Sequence, residues 1–520
     1  MTALRSPRRT HGLVAWFAAA LGATVLVAAC GSADQGVATR RADEPTVVAP
    51  ATTGPVTGDT TAPTDTTPAT DPDSPLEPTD VTVAPPVGTP IVDFGDAKTP
   101  RSYDDFINAA FTDITDFWAE NFPVVYGQAF EPVAGIFAHY PERGDLPQSC
   151  DGGVPYDAVE GNAFYTTCGD IIVYDDALLL PDFVERLGTA AVGVVAAHEY
   201  AHAIQQRAGV FDLGLLTVDT EQQADCFAGA WAAHVALGGS DLLTFGDQDV
   251  KSGLIAMIEV RDPPGSDVSD ESGHGTAFDR VGAFQQGFIN GVQRCADFIT
   301  DPNPRIDLVF NADDLETGGN LPYEQILELL PPALDLFWQP TLDGSGVAFT
   351  PPTFVPFDPD TGPPACDGQG ADELRNRAVF CASSNSIVFD ERFVQDLYVR
   401  LGDLSFAYPL AVAYGDAVQS ALGFSLSGET RALLNDCLVG AWIIDIVPSG
   451  QVTETGFPIP NNPNQEIVLS AGDLDEAVIT AVAFGDEASD TDVRGTAFEK
   501  IDAFRAGVLG GLAACQARLG

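Results

Sequence analysis

Apolar residues recur along this chain in two rhythms. In 275–295, GTAFDRVGAFQQGFINGVQRC, Phe278, Val281, Phe284 and Phe288 fall three or four apart, on one face of a helix. That aromatic stripe is core-forming. GTAAVGVVAAHEYAHAIQQRAG (188–209) holds helix formers, no proline and a closing glycine, and predicts a helix with a glycine cap. DTEQQADCFAGAWAAHVALGG (219–239) predicts a second, capped by Asp219 or Thr220 and stopped at Gly238. Its glycine-alanine run predicts close packing on the first. IIVYDD (171–176) is a short β-rich run and is expected as an edge strand.

The pattern is also written twice. GTAFDRVGAFQQGFINGVQRC returns without a gap as GTAFEKIDAFRAGVLGGLAAC at 495–515, QADCFAGAW as LNDCLVGAW, IIVYDDALL as SIVFDERFV, and SCDGG as ACDGQ. Trp118 falls opposite Trp338, Asp225 opposite Asp436 and Cys226 opposite Cys437. All matches keep one order, which implies a tandem duplication. One domain is expected over 98–305 and its copy over 318–520, joined within DPNPRIDLVFNADDLETGGN. The expected fold class is α+β, predominantly helical.

The amino-terminal 97 residues fit neither domain. Arg5, Arg8 and Arg9 precede the apolar stretch GLVAWFAAALGATVLV and then VAAC, ending at Cys30. This resembles a bacterial lipoprotein signal. The resemblance implies a signal over 1–29, cleavage before Cys30, a lipid on its thiol, and anchoring on the extracytoplasmic side of the cell membrane. An ordinary secretory signal with a chance cysteine is the alternative, and Arg8-Arg9 leaves twin-arginine export open. Residues 30–97, rich in Thr, Pro and Asp, have no apolar periodicity to bury and are expected to form a disordered tether. No later segment is apolar enough to span a bilayer. A net charge of −51 repels phosphates and anionic head groups, so nucleic acid is excluded as a partner.

Setting Cys30 aside leaves eight cysteines, an even number suited to disulfides in an exported chain. The repeat narrows their pairing to Cys150–Cys168 with Cys366–Cys381, and Cys226–Cys295 with Cys437–Cys515.

HEYAH carries the chemistry. His198 and His202, four apart on a helix, present both imidazoles on one face, where they can grip a single metal ion. Glu199 is turned about 100° away and flanks the metal as a base. Two histidines leave a tetrahedral site short of a ligand, and Glu221 on the next helix is the candidate third. Asp225, one turn on, either orients a ligating histidine or is structural, since Asp436 persists in the copy. His274, in SGHGTAF, is a candidate donor to a developing oxyanion, or a helix cap or loop residue. His139 and His234 are read as structural.

AAHEYAHAIQQ, EQQADCFAGAWAAH and HGTAFDRVGAFQQGF, in this order, look like the putative neutral zinc metallopeptidase family. The resemblance covers most of 98–305. It implies a zincin-like fold, zinc on His198, His202 and Glu221, Glu199 as catalytic base, and a peptide or protein substrate. The tandem second half departs from a typical member. There His198 falls on Val412, Glu199 on Ala413, His202 on Asp416, Glu221 on Ala432 and His274 on Arg494. One zinc is therefore expected, in the first domain only, with the second a degenerate repeat packed against it. The competing expectation is a non-catalytic surface lipoprotein with a structural or vestigial zinc.

Overall fold

A computed structural model describes residues 38–39, 81–84, 91–144, 146, 153–270, 273–312, 314–453, 457–486 and 493–519. The signal, Cys30, most of the tether and Cys150 lie outside the described residues, and so does the expected Cys150–Cys168 pairing.

The first half builds a five-stranded sheet from β1 (Ala38–Thr39), β2 (Val92–Asp93), β3 (Gly135–His139), β4 (Asn162–Thr166) and β5 (Ile171–Asp175). The spatial order is β1-β4-β5-β3-β2, with β3 parallel to β2 and β5, and β4 antiparallel to β1 and β5. The run expected at the edge is thus the central strand. All five residues of β5 are buried because both edges are paired and both faces are covered, so its side chains read as a continuous apolar run.

Six helices follow the sheet or cover it: α1 (Asp104–Tyr126), α2 (Leu179–Leu187), α3 (Thr189–Ala208), α4 (Thr217–Ala236), α5 (Asp247–Glu259) and α6 (Ala277–Asp297). Helix α3 ends at Gly209 in the left-handed conformation, as its sequence predicts. Helix α4 starts two residues before the expected caps. Thr220 lies inside it and bonds Thr217 O, and Asp219 pairs with Arg305. Gly229 serves α6 rather than α3: a Cβ there would lie 2.0 Å from Phe284 O, and one on Gly287 would lie 1.7 Å from Cys226 O. Cys226–Cys295 closes the α4–α6 pair.

Ordered contacts begin ahead of the boundary expected at 98. Val81 is buried and donates to Thr189 Oγ1, Val83 bridges to Leu243, and β2 belongs to the sheet. A mixed pattern this short carries too few apolar positions to stand out within the tether.

The second half runs through α7 (Asp314–Thr317), α8 (Tyr323–Gly344), β6 (Thr353–Phe357), α9 (Ala371–Leu374), β7 (Ala378–Cys381), β8 (Ser386–Asp390), α10 (Glu391–Arg400), α11 (Asp403–Ala421) and α12 (Gly428–Ile446). A hairpin of β9 (Pro448–Val452) and β10 (Pro458–Pro460), α13 (Asp473–Ala483) and α14 (Ala497–Ala517) complete it. Its sheet order, β6-β8-β7, has one parallel and one antiparallel pair about a central strand, like β3-β5-β4. Cys437–Cys515 closes α12 on α14, and Cys366–Cys381 closes the strand region. Gly291 and Gly511 interrupt α6 and α14 at matching places with positive φ.

One continuous apolar core runs through both halves. Phe278 meets Phe504 edge-on, and Phe278 N–H donates to Asp475 Oδ1. Gln285 Nε2 donates to Phe498 O, and the Arg505 guanidinium lies 4.0 Å over the Phe278 ring. Among the described residues, no helix is long and apolar enough to cross a membrane.

Candidate metal centre

Helix α3 presents His198 and His202 one turn apart, and α4 crosses it carrying Glu221 and Asp225. All four residues are at most 4% exposed. His198 Nε2 lies 3.2 Å from His202 Nε2 and 3.1 Å from Glu221 Oε2, and His202 Nε2 lies 3.4 Å from Glu221 Oε1. Four ligands 2.0–2.1 Å from a tetrahedral zinc stand about 3.3 Å from one another. The two Nε2 atoms and the Glu221 carboxylate, which turns Oε2 to His198 and Oε1 to His202, are therefore gathered at the spacing of ligands around one ion.

The outer nitrogens fix the tautomers. His198 Nδ1 is 2.8 Å from Asp225 Oδ1, and His202 Nδ1 is 2.9 Å from Gln205 Oε1. The Gln205 amide is oriented by donating from Nε2 to Thr220 O and Gln223 Oε1, so its Oε1 is left to accept. Both Nδ1 atoms then carry hydrogen, and both Nε2 lone pairs converge on the Glu221 carboxylate. So many acceptors need a cation among them. Burial works against a charged His198, yet Asp225 and Glu221 push it up to about 10. Burial would raise Glu221, but His202 and His198 hold it well below the usual carboxylate range. A metal competes with the proton for the same Nε2 lone pair, and this donor set fits zinc.

Asp225 is itself anchored. Arg280, fully buried on α6, donates from Nε to Asp225 Oδ2 at 2.9 Å and from a terminal nitrogen to Oδ1 at 2.8 Å. Sequence reasoning passed over Arg280 and Gln205. The signal for Arg280 was a charged residue four positions before Phe284, on the buried stripe of α6.

Glu199 is turned away from the three ligand atoms. Its Oε2 accepts the Tyr165 N–H of β4 at 3.1 Å, and burial pushes it up to about 8. His274 is 6% exposed, its N–H and that of Gly275 donate to Asp262, and its Nε2 has no hydrogen-bond partner. It does not cap α6, because Thr276 does. It is not among the three ligands that converge, but it is near enough to help depress Glu221. His139 bonds Val154 O within the sheet region, and His234 packs on Phe117, both apart from the convergent ligands.

In the second half, Asp416 accepts from Arg431 at 2.7 Å and from Asn435 at 2.6 Å, a guanidinium and an amide where the first half gathers metal ligands. Asp436 keeps a cation, Lys500 at 2.7 Å, while Tyr408 Oη at 2.9 Å takes the role that His198 Nδ1 has on Asp225.

Residues 93–298 match the family described as putative neutral zinc metallopeptidase. The chain is 30% identical over 192 residues to the uncharacterized protein YpfJ of Escherichia coli K12, covering 32% of this chain and 63% of that protein. It is 29% identical over 204 residues to the uncharacterized protein Rv2575 of Mycobacterium tuberculosis, covering 35% of this chain and 64% of that one. The chain thus spans less than two thirds of these relatives. No solved structure matches it.

Proposed function

We propose that residues 98–305, with the segments docked ahead of them, act as a zinc-dependent peptidase. The observation that carries this reading is the spacing of His198 Nε2, His202 Nε2 and Glu221, with Glu199 beside them and free of the ligand set. His198, His202 and Glu221 would hold zinc, which would supply Lewis-acid chemistry toward a carbonyl and toward water. Glu199 takes a proton at Oε1, since Oε2 is occupied by Tyr165 N–H, and returns it to the leaving amine. Its burial lets the carboxyl hold that proton between the two transfers. His274 Nε2 offers a donor to the charge that develops on the carbonyl oxygen. Asp225 and Arg280 keep the His198 ring in register.

Residues 318–520 are, in this reading, a degenerate copy lacking the ligands, supported by the matched sheet order, disulfides and Asp-cation pairs. The amino-terminal sequence supports export and a lipid on Cys30, which would place both halves outside the cell, held to the membrane by the tether. Glu199→Gln tests the mechanism: zinc content should stay at wild-type level while hydrolysis of a quenched peptide library falls about 10²–10⁴-fold. An undiminished rate removes Glu199 from the reaction.

A further inference from the structure

The two halves meet around a cleft of about 40 Å³ that opens into about 620 Å³ of space once the solvent at its mouth is counted. Its walls are residues 262–268 and 273–276, the start of α4 at Val218, the first turn of α6, the segment 306–308 and, from the second half, the start of α13. Asp262, Asp267, Asp279, Asp307 and Asp475 line it, and no Lys, Arg or His does among the described residues. Four of these acids are committed. Asp262 accepts two loop N–H groups, Asp267 bonds Ser269, Asp475 accepts Phe278 N–H and faces Arg261 at 3.4 Å, and Asp307 faces Arg305 at 3.6 Å.

Asp279 differs. It is 1% exposed, and its Oδ1 has no hydrogen-bond partner. The matching acid in the second half shows what the position ordinarily does. Glu499, three residues after its cap Thr496, folds back to accept Thr496 N–H at 2.9 Å. Asp279 stands at the same place after Thr276 but is one methylene shorter, and its Oδ1 is left unspent. Burial pushes it up to about 7, with Asp307 and Asp475 adding to the effect and Arg505 opposing it. Thr276 supports the carboxyl, but Oδ1 is left with no hydrogen-bond partner, and a cationic ligand offsets the cost of burying charge there.

We propose that this cleft binds a basic side chain, the guanidinium or ammonium of an Arg or Lys residue, with Asp279 at its floor. Among the described residues the five acids do not converge on a point as the metal ligands do, which suits an organic cation rather than a bare metal ion. It adjoins the metal centre: Val218 lies one turn of α4 before Glu221, and Gly273 and Gly275 flank His274. Assigning that side chain to a peptide substrate rests on the peptidase reading. The binding itself does not. The second half then acts as one wall of a specificity pocket.

The test uses the full-length zinc-loaded chain and calorimetric titration with N-acetylarginine amide, N-acetylcitrulline amide and calcium chloride, so that binding is read without turnover. The arginine amide should bind saturably and the citrulline amide should not. Asp279→Asn should weaken arginine binding about tenfold or more, the loss of one charged hydrogen bond. Asp279→Glu, which keeps the charge but can fold back onto Thr276 as Glu499 does, should weaken it too. Unchanged zinc content marks each variant as folded. Equal binding by the Asn variant, no saturation by the arginine amide, or saturable binding of calcium alone would each overturn the proposal.

Discussion

Arg280 of α6 grips Asp225 of α4 through two hydrogen bonds, and Asp225 lies 2.8 Å from the His198 nitrogen that faces away from the metal position. Three helices are thereby tied to one ligand. Replacing Arg280 with Met leaves a buried carboxylate without its cation, a change that costs about 3–5 kcal/mol. Urea unfolding should show that loss, and competition with a chelator should show zinc affinity lowered about 10–100-fold. Arg280→Lys should do much less harm, because Lys500 already serves Asp436 in the second half.

The α4–α6 contact depends on two glycines whose missing side chains admit the opposite backbone. Gly287→Ala would place a carbon 1.7 Å from Cys226 O, so the helices must part. A destabilisation of about 1–3 kcal/mol is expected from such overpacking, read as a lower thermal midpoint. A midpoint equal to wild type would mean that the helices are not so close.

Cys226–Cys295 staples the same pair across a separation of 69 residues. In the chain-entropy model, closing a loop of that length contributes about 4 kcal/mol. The double serine variant should lose stability of that order. It should also bind zinc less tightly, because Glu221 and Arg280 sit on the two helices the bond holds together.

Asp279 sets a pH dependence. Burial raises its folded-state pKa to about 7, above the ordinary aspartate value near 4 that it has in the unfolded chain. Between those values the unfolded state releases the proton and the folded state keeps it, so stability falls as pH rises and levels off above 7. Wild type should lose about 2 kcal/mol more than Asp279→Asn between pH 5 and pH 7. Parallel pH profiles of the two proteins would show that Asp279 is not protonated in the folded chain.

Helices α3, α4 and α6 were legible: a 3.6-residue apolar rhythm marks α6, and Gly209 and Gly238 mark the ends of α3 and α4. His198 and His202 were legible because the helical period fixes what shares a face, and Glu221 because two histidines leave a metal site one ligand short. Other features depend on tertiary neighbours that no local pattern carries. β5 was expected at an edge, but β3 and β4 cover its two sides, and β3 comes from 32 residues or more earlier in the chain. The start of α4 was misplaced because Asp219 and Thr220, both good caps in isolation, are used instead by Arg305 and by the helix's own backbone. Arg280 was passed over because a lone arginine in an apolar stripe gains meaning only when Asp225 stands opposite it. Val81 and Val83 were hidden by the composition around them.

The central claim is one zinc ion held by the first half. Metal content of the purified full-length chain, measured without added metal beside His202→Ala and Asp416→Ala, tests it most directly. The account predicts about one zinc per wild-type chain, none in His202→Ala, and one in Asp416→Ala. No zinc in the wild type, or zinc that survives His202→Ala, would contradict it.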